Sequence, residues 1–249
     1  MNIQSIPEHE LARLREKAKE VAGSRDDYSS FYTELLTRRL NGEPLQYIEE
    51  YIPFYSIQVN VDSRALIPRP ETEFLIQIIK ENIKSPKRFL DIGTGSGCIA
   101  LMLKKLFPES SVDAVDISEA ALELAVENSN INGLEVNFYT SDLLSNIEKT
   151  DFDCIVANLP YIPSKQLEKL DSEVIDHEPL VALDGGEDGL LYISRLIDQI
   201  EQKEIADMML FLEIDETHGK ALLDRLSNWA EVRVEKDLAE RDRYIVARR

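Results

Sequence analysis

The chain has 249 residues, 43% of them hydrophobic and 30% charged, values of a globular protein able to bury a substantial core rather than of a disordered or fibrous one. Its 47 acids against 28 bases give a formal net charge of −19, which disfavours a general nucleic-acid binder, because that affinity rests on phosphates neutralised by Lys and Arg. No apolar run reaches spanning length and the amino terminus shows no apolar leader, so no membrane segment and a cytoplasmic location are expected. Cys98 and Cys154 sit in apolar sequence as free thiols of a reducing compartment, and His9, His177 and His218 are too scattered to suggest zinc or another metal.

In chain order, Ser5-Ile6-Pro7-Glu8 reads as a capping box with proline in the first turn. Leu11, Leu14, Ala18 and Val21 then recur at helical spacing until Gly23-Ser24. A second amphipathic stretch carries Phe31, Leu35, Leu36 and Leu40 and stops at Asn41-Gly42. Neither buries much alone, so residues 1–50 predict a small helical domain docked on a larger one, residues 51–249. From Tyr47 and Ile48 to Val61, aromatic and β-branched residues around Pro53 predict a hairpin linking the two. After Pro68-Arg69-Pro70, Glu71 opens a helix through Ile83.

From Arg88 onward strands and helices alternate. Strands are predicted at Arg88–Ile92, Val112–Ile117, Val136–Thr140, Phe152–Asn158, Met208–Ile214, Glu231–Lys236 and Arg243–Ala247. Helices are predicted at Cys98–Phe107, Glu119–Asn130, Leu190–Gln202 and Thr217–Trp229. The alternation predicts an α/β fold, a parallel sheet with helices on both faces. The last pair of strands should run antiparallel, because the turn at Asp237–Asp242 is too short for a crossover. Asp184–Gly189 lacks the acid spacing of a calcium loop and predicts a turn into the helix at Leu190. Glu213, at the end of the fifth strand of this series, reads as structural.

The first of these strands runs into Asp91-Ile92-Gly93-Thr94-Gly95-Ser96-Gly97. Such a turn brings backbone N–H groups against a ligand. A nicotinamide dinucleotide prefers Gly-x-Gly-x-x-Gly, and Cys98 stands where the third glycine belongs. Asp116 ends the next strand, placed to accept from ribose hydroxyls. Asp142 follows the third strand, placed to accept from an adenine amino group, with Leu143 flanking the ring. An acid at a strand end, a glycine turn, a ribose acid and an adenine acid, in that order, resemble the S-adenosylmethionine site of class I methyltransferases. The resemblance implies a seven-stranded Rossmann-like sheet and S-adenosyl-L-methionine held by Asp91, Gly93, Thr94, Gly95, Ser96, Gly97, Asp116, Asp142, Leu143 and Asn158, with S-adenosyl-L-homocysteine as product.

Such enzymes present their acceptor at the end of the fourth strand, here Asn158-Leu159-Pro160-Tyr161. A conjugated nitrogen is a poor nucleophile because its lone pair is delocalised. The Asn158 side-chain oxygen and the Leu159 carbonyl can each accept one of its hydrogens and aim it at a methyl donor, with Pro160 shaping the turn and Tyr161 walling the slot.

The chain from Gly42 onward resembles the bacterial methyltransferases that modify the glutamine of peptide chain release factors. The matching stretches are Gly42–Ile48, Leu66–Glu73, the glycine turn, Glu178–Leu190 and the tail from Lys236-Asp237-Leu238 to Arg243. The resemblance implies that the acceptor is the glutamine of the release factor's Gly-Gly-Gln loop, that the product is N5-methylglutamine, and that the helices of residues 1–41 help dock the factor. A monomer is expected, and the net charge of −19 argues against direct nucleic-acid binding. Two departures stand out. Leu159 replaces the family's usual proline, which keeps the carbonyl but loses the ring's rigidity, and the helical segment is short. Two other readings compete: an adenine or guanine N-methyltransferase using the same Asn-x-Pro-Tyr chemistry, and a non-catalytic cofactor-binding scaffold. Arg69 is a further candidate contact to substrate or cofactor.

Overall fold

The computed structural model describes residues 6–23 and 27–249; Ser5 of the expected capping box and Ser24 of the expected break lie outside them. The amino-terminal helices are α1 (Glu8–Ala22) and α2 (Tyr28–Leu40). Their apolar stripes, with Ile6, meet in a cluster of Leu11, Leu14, Ala18, Leu35 and Leu36. That cluster is closed by Leu45 and Ile48, which belong to a short helix α3 (Leu45–Glu49).

Here the expectation of a hairpin beginning at Tyr47 is corrected. Leu45 and Ile48 lie three apart, so a helical turn sends both to one face. Tyr47 then faces the main core and donates from its hydroxyl to the Ala65 carbonyl at 3.3 Å. Glu50, at φ 71°, ends the helix. The hairpin follows as β1 (Tyr51–Phe54) and β2 (Ile57–Asn60), with Ile52, Phe54, Ile57 and Val59 buried on one face.

Helix α4 (Pro70–Asn82) starts on its proline, where a missing N–H costs nothing. The remaining elements are β3 (Arg88–Ile92), α5 (Cys98–Leu106), β4 (Ser111–Asp116), α6 (Glu119–Asn132), β5 (Asn137–Thr140), β6 (Cys154–Ala157), α7 (Ser172–His177), α8 (Leu191–Gln202), β7 (Met209–Glu213), α9 (Gly219–Arg225), β8 (Glu231–Lys236) and β9 (Asp242–Arg248). The sheet order is β5-β4-β3-β6-β7-β9-β8. The pairs from β5 to β7 are parallel, and β9 lies antiparallel to both β7 and β8. The expected antiparallel pair is present; that β9 inserts between β7 and β8 is additional.

Central strands are buried on both faces. Phe89, Val156 and Phe211 join the core under α4, α5 and the hairpin, while Leu90, Ile155 and Leu210 join the core under α8 and α9. This explains their near-continuous apolar sequence. Helix α9 is much shorter than the expected Thr217–Trp229; at its start Thr217 is tied into a turn by two hydrogen bonds to Asp215 at 2.9 and 2.6 Å, a local alternative to helix. The stretch from Ile162 to Leu183, unassigned from sequence, forms a strap carrying α7 and two short 3-10 turns. Arg39 of α2 reaches Glu173 of α7 at 2.7 Å, and Lys17 of α1 reaches Glu50 at 2.8 Å. The Arg39–Glu173 pair ties α2 to the strap, while the Lys17–Glu50 pair holds α1 to the end of α3. No helix among the described residues is long and apolar enough to cross a membrane.

Candidate active site

Strand order reverses between β3 and β6, and in open α/β sheets the crevice at such a switch point, beyond the carboxyl ends of the strands, is where ligands bind. A cleft of about 1030 Å³, counting its open mouth, lies there. It is lined by Gly93, Thr94, Gly95 and Ser96 after β3, Asp116 after β4, Asp142 and Leu143 after β5, and Asn158, Leu159 and Pro160 after β6. The expected residues therefore converge from four strand ends.

The glycine turn owes its shape to backbone conformation. Gly93, Gly95 and Gly97 have φ of 70°, 53° and 83°, values that favour residues without a Cβ. A Cβ on Gly93 would stand 3.0 Å from the Leu159 side chain. Leu159 is buried in the core under α8, so its packing supplies the restraint that a proline ring would have given. Leu143, at φ 52°, is a further strained position, of the kind found where a site constrains the backbone.

Four of the assigned residues take positions that sequence did not anticipate. Tyr161, expected to wall the slot, is not among the residues lining the cleft and packs against the core under α8. Asp91 is fully buried behind the turn and is not among the residues lining the cleft. Its carboxylate accepts from Thr94 Oγ1 at 2.7 Å and from the Ala100 amide at 3.2 Å. Burial pushes its pKa up to about 7. Gly97, the left-handed cap of α5, also lies outside the lining and packs against Ala125. Asp142 does line the cleft, but one of its oxygens already accepts from Arg195 at 2.6 Å.

Asp116 accepts from the Gly95 and Ser118 amides at 2.8 and 2.9 Å, and burial raises its pKa despite those bonds. Each oxygen keeps a lone pair for a ligand hydroxyl. Ser96 Oγ, buried at the cleft, has no hydrogen-bond partner. An orphaned hydroxyl beside a strand-end acid with free lone pairs, both at the cleft, fit a nucleoside-bearing ligand with polar groups.

The acceptor turn is bound to residues that sequence did not assign to the site. Asn158 Nδ2 donates to Thr72 Oγ1 at 3.2 Å. Thr72 Oγ1 donates to Glu213 Oε2 at 2.9 Å, and the Tyr161 hydroxyl donates to Glu213 Oε1 at 3.3 Å. Glu213 is buried, which pushes its pKa up to about 7 against the hydrogen bonds that favour its charge. Burial and the neighbouring Glu213 charge raise the Tyr161 pKa.

On its far side the turn is clasped by the Asp184–Gly189 loop. Ile162 and Leu183, and Gly185 and Ile162, pair backbone to backbone at 3.1 and 2.8 Å. A Cβ on Gly185 would come within 2.7 Å of the Pro160 carbonyl oxygen, and one on Gly189 would overlap the Tyr161 carbonyl. Their spacing in an acidic, glycine-rich loop was the one available signal. Arg69 is committed to the buried Glu178 at 2.5 Å, which also accepts from the Ile67 amide at 3.0 Å, so it buttresses the mouth of the cleft.

This geometry agrees with known proteins. The Methyltransferase small domain model matches residues 67–187. The chain is 39% identical, over 85% of its length and 78% of the relative, to a release factor glutamine methyltransferase of Thermodesulfovibrio yellowstonii. It is also 39% identical, over 90% of its length and 81% of the relative, to a protein of the same description from Koribacter versatilis. It belongs to the release factor glutamine methyltransferase family. The ribosomal protein L11 methylase of Lactobacillus delbrueckii subsp. bulgaricus shares the fold, with a TM-score of 0.54 and 24% identity over 74% of this chain and 81% of that one. As a member of the family the chain is a methyltransferase, which removes the scaffold reading and accounts for a glycine cleft meeting an Asn-x-Pro-Tyr turn.

Proposed function

We propose that this chain transfers a methyl group from S-adenosyl-L-methionine to the side-chain amide nitrogen of the Gly-Gly-Gln glutamine of peptide chain release factors. The observation that carries the proposal is the state of Asn158. Its Nδ2 is engaged by Thr72, so its oxygen is the end left for a ligand at the cleft. The Leu159 carbonyl lies beside it and accepts from none of the described backbone amides.

When bound, the cofactor supplies a methyl on a positively charged sulfur. Gly93 through Ser96, Asp116, Asp142 and Leu143 would hold it. Asn158 Oδ1 and the Leu159 carbonyl each accept one hydrogen of the substrate amide, which orients the nitrogen and favours positive charge as it develops there. Pro160 bounds the slot, with Tyr161 behind it on Glu213, and the apolar rim of Pro179, Val181 and Ala182 keeps bulk water from the reacting atoms. A glutamine on a loop tip enters such a slot without the unstacking cost of a paired base.

Incubating the protein with methyl-labelled cofactor and either a release factor or total RNA tests this reading. Label on the Gly-Gly-Gln glutamine by mass spectrometry is the expected result. Label on RNA adenines alone would replace it with the nucleic-acid reading. The helical domain, tied to the strap beside the cleft through Arg39 and Glu173, is proposed to dock the factor. Deleting residues 1–41 is expected to raise KM for the release factor several-fold while cofactor affinity holds, by loss of uniform binding; equal efficiency of the truncated chain would end that role.

A further inference from the structure

The chain Asn158–Thr72–Glu213–Tyr161 has a direction, and that direction has consequences for the acceptor turn. A carboxylate is acceptor-only, whereas a hydroxyl has one hydrogen to give. With Glu213 ionised, Thr72 must spend its hydrogen on Glu213 Oε2, at 2.9 Å, so its oxygen is left to accept. The group 3.2 Å away on Asn158 is then its NH2, and the carboxamide oxygen faces the cleft. We propose that Glu213, acting through Thr72, is a positioning residue that sets which end of the Asn158 carboxamide faces the substrate.

Protonation of Glu213 reverses the order. The proton on Glu213 can be donated to Thr72 Oγ1, the threonine hydrogen turns to Asn158, and the carboxamide flips to present Oδ1 to Thr72. The cleft then meets an NH2 group, which cannot accept from a substrate amide. The pKa of Glu213, near 7, puts this reversal within reach of ordinary pH. Its surroundings explain the balance. Burial favours the neutral acid, as does the charge of Glu71 on α4; Thr72, Tyr161 and the Arg243 guanidinium on β9 favour the carboxylate. Tyr244 on β9 and Cys98 on α5, each pushed up in part by the Glu213 charge, stay neutral.

The inference rests on the proposed acceptor role of Asn158, so its test includes a readout that needs no substrate. In isotope-labelled protein, the Asn158 side-chain amide resonances are expected to shift between about pH 6 and 8 with a midpoint near 7. Glu213→Gln is expected to abolish that step, and kcat should fall with pH below the same midpoint in the wild type. With Tyr161 donating to its oxygen, a glutamine here turns its NH2 toward Thr72, so Glu213→Gln should lower kcat by about tenfold or more at high pH and leave the cofactor Kd unchanged. Asp91 also titrates near 7, and it should still do so in the variant. Should Glu213→Gln fail to fold, Thr72→Val cuts the same chain at one atom and Thr72→Ser restores the step. Identical Asn158 resonances across this range in wild type and in Thr72→Val or Glu213→Gln overturn the proposal. A step that follows Glu213 in a protein that methylates no release factor keeps the positioning role and rejects the substrate instead.

Discussion

Asn158→Ala is expected to reduce the single-turnover rate of methyl transfer on the order of a hundredfold, as loss of one preorganised hydrogen-bond partner in a desolvated site does elsewhere. The fold should survive. Asn158 sits just past β6, half-buried, and its one side-chain hydrogen bond among the described residues goes to Thr72. Thr72 keeps its bond to Glu213 when that bond is lost. Cofactor affinity should change little, because Asp116 and the glycine turn stand on other strands. Rapid-quench measurement with labelled cofactor checks the rate, and circular dichroism checks the fold. A folded variant that turns over normally would show that the Leu159 carbonyl alone aligns the acceptor.

Gly189→Ala should be comparably damaging from outside the cleft. The glycine has φ 80°, and an added Cβ would overlap the Tyr161 carbonyl and stand 2.8 Å from His218 Cε1. His218 is buried and its Nε2 donates to the Asp188 carbonyl at 2.9 Å, so it cannot swing away freely. The strain of a left-handed alanine, about 1–3 kcal/mol, adds to that overlap. Relief requires the acceptor turn or the loop to move, and misplacement of a reacting group by about 1 Å costs about a hundredfold in rate. The expected result is a lowered melting temperature and a kcat down by about that factor, with cofactor Kd close to wild type because Gly189 does not line the cleft. Normal kcat in the variant would mean the loop does not set the position of Tyr161.

These two substitutions strike different kinds of residue. Asn158 is the residue proposed to meet the acceptor directly, and it belongs to a four-residue turn that sequence exposes. Gly189 acts on that turn from a loop whose sequence announces only flexibility and charge.

Sequence alone determined the alternating strands and helices, the glycine turn, the strand-end acids Asp116 and Asp142, and the acceptor turn at Asn158. Each is written locally, in hydrophobic period, in turn chemistry, or in a few adjacent residues. The short helix α3 escaped because aromatic and β-branched residues favour strands, and only packing of Leu45 and Ile48 on α1 and α2 overrides that preference. Tertiary structure alone decided that β9 inserts beside β7, that Asp91 supports the turn from behind, and that Thr72 and Glu213 join the acceptor site. Thr72 lies 86 residues from Asn158 and 141 from Glu213. Nothing local to any of the three encodes their meeting; it follows from β6 and β7 pairing side by side with α4 packed across them. Burial at that junction is also what brings the Glu213 carboxyl to a pKa near 7, because desolvation penalises a charge only once the chain has closed around it.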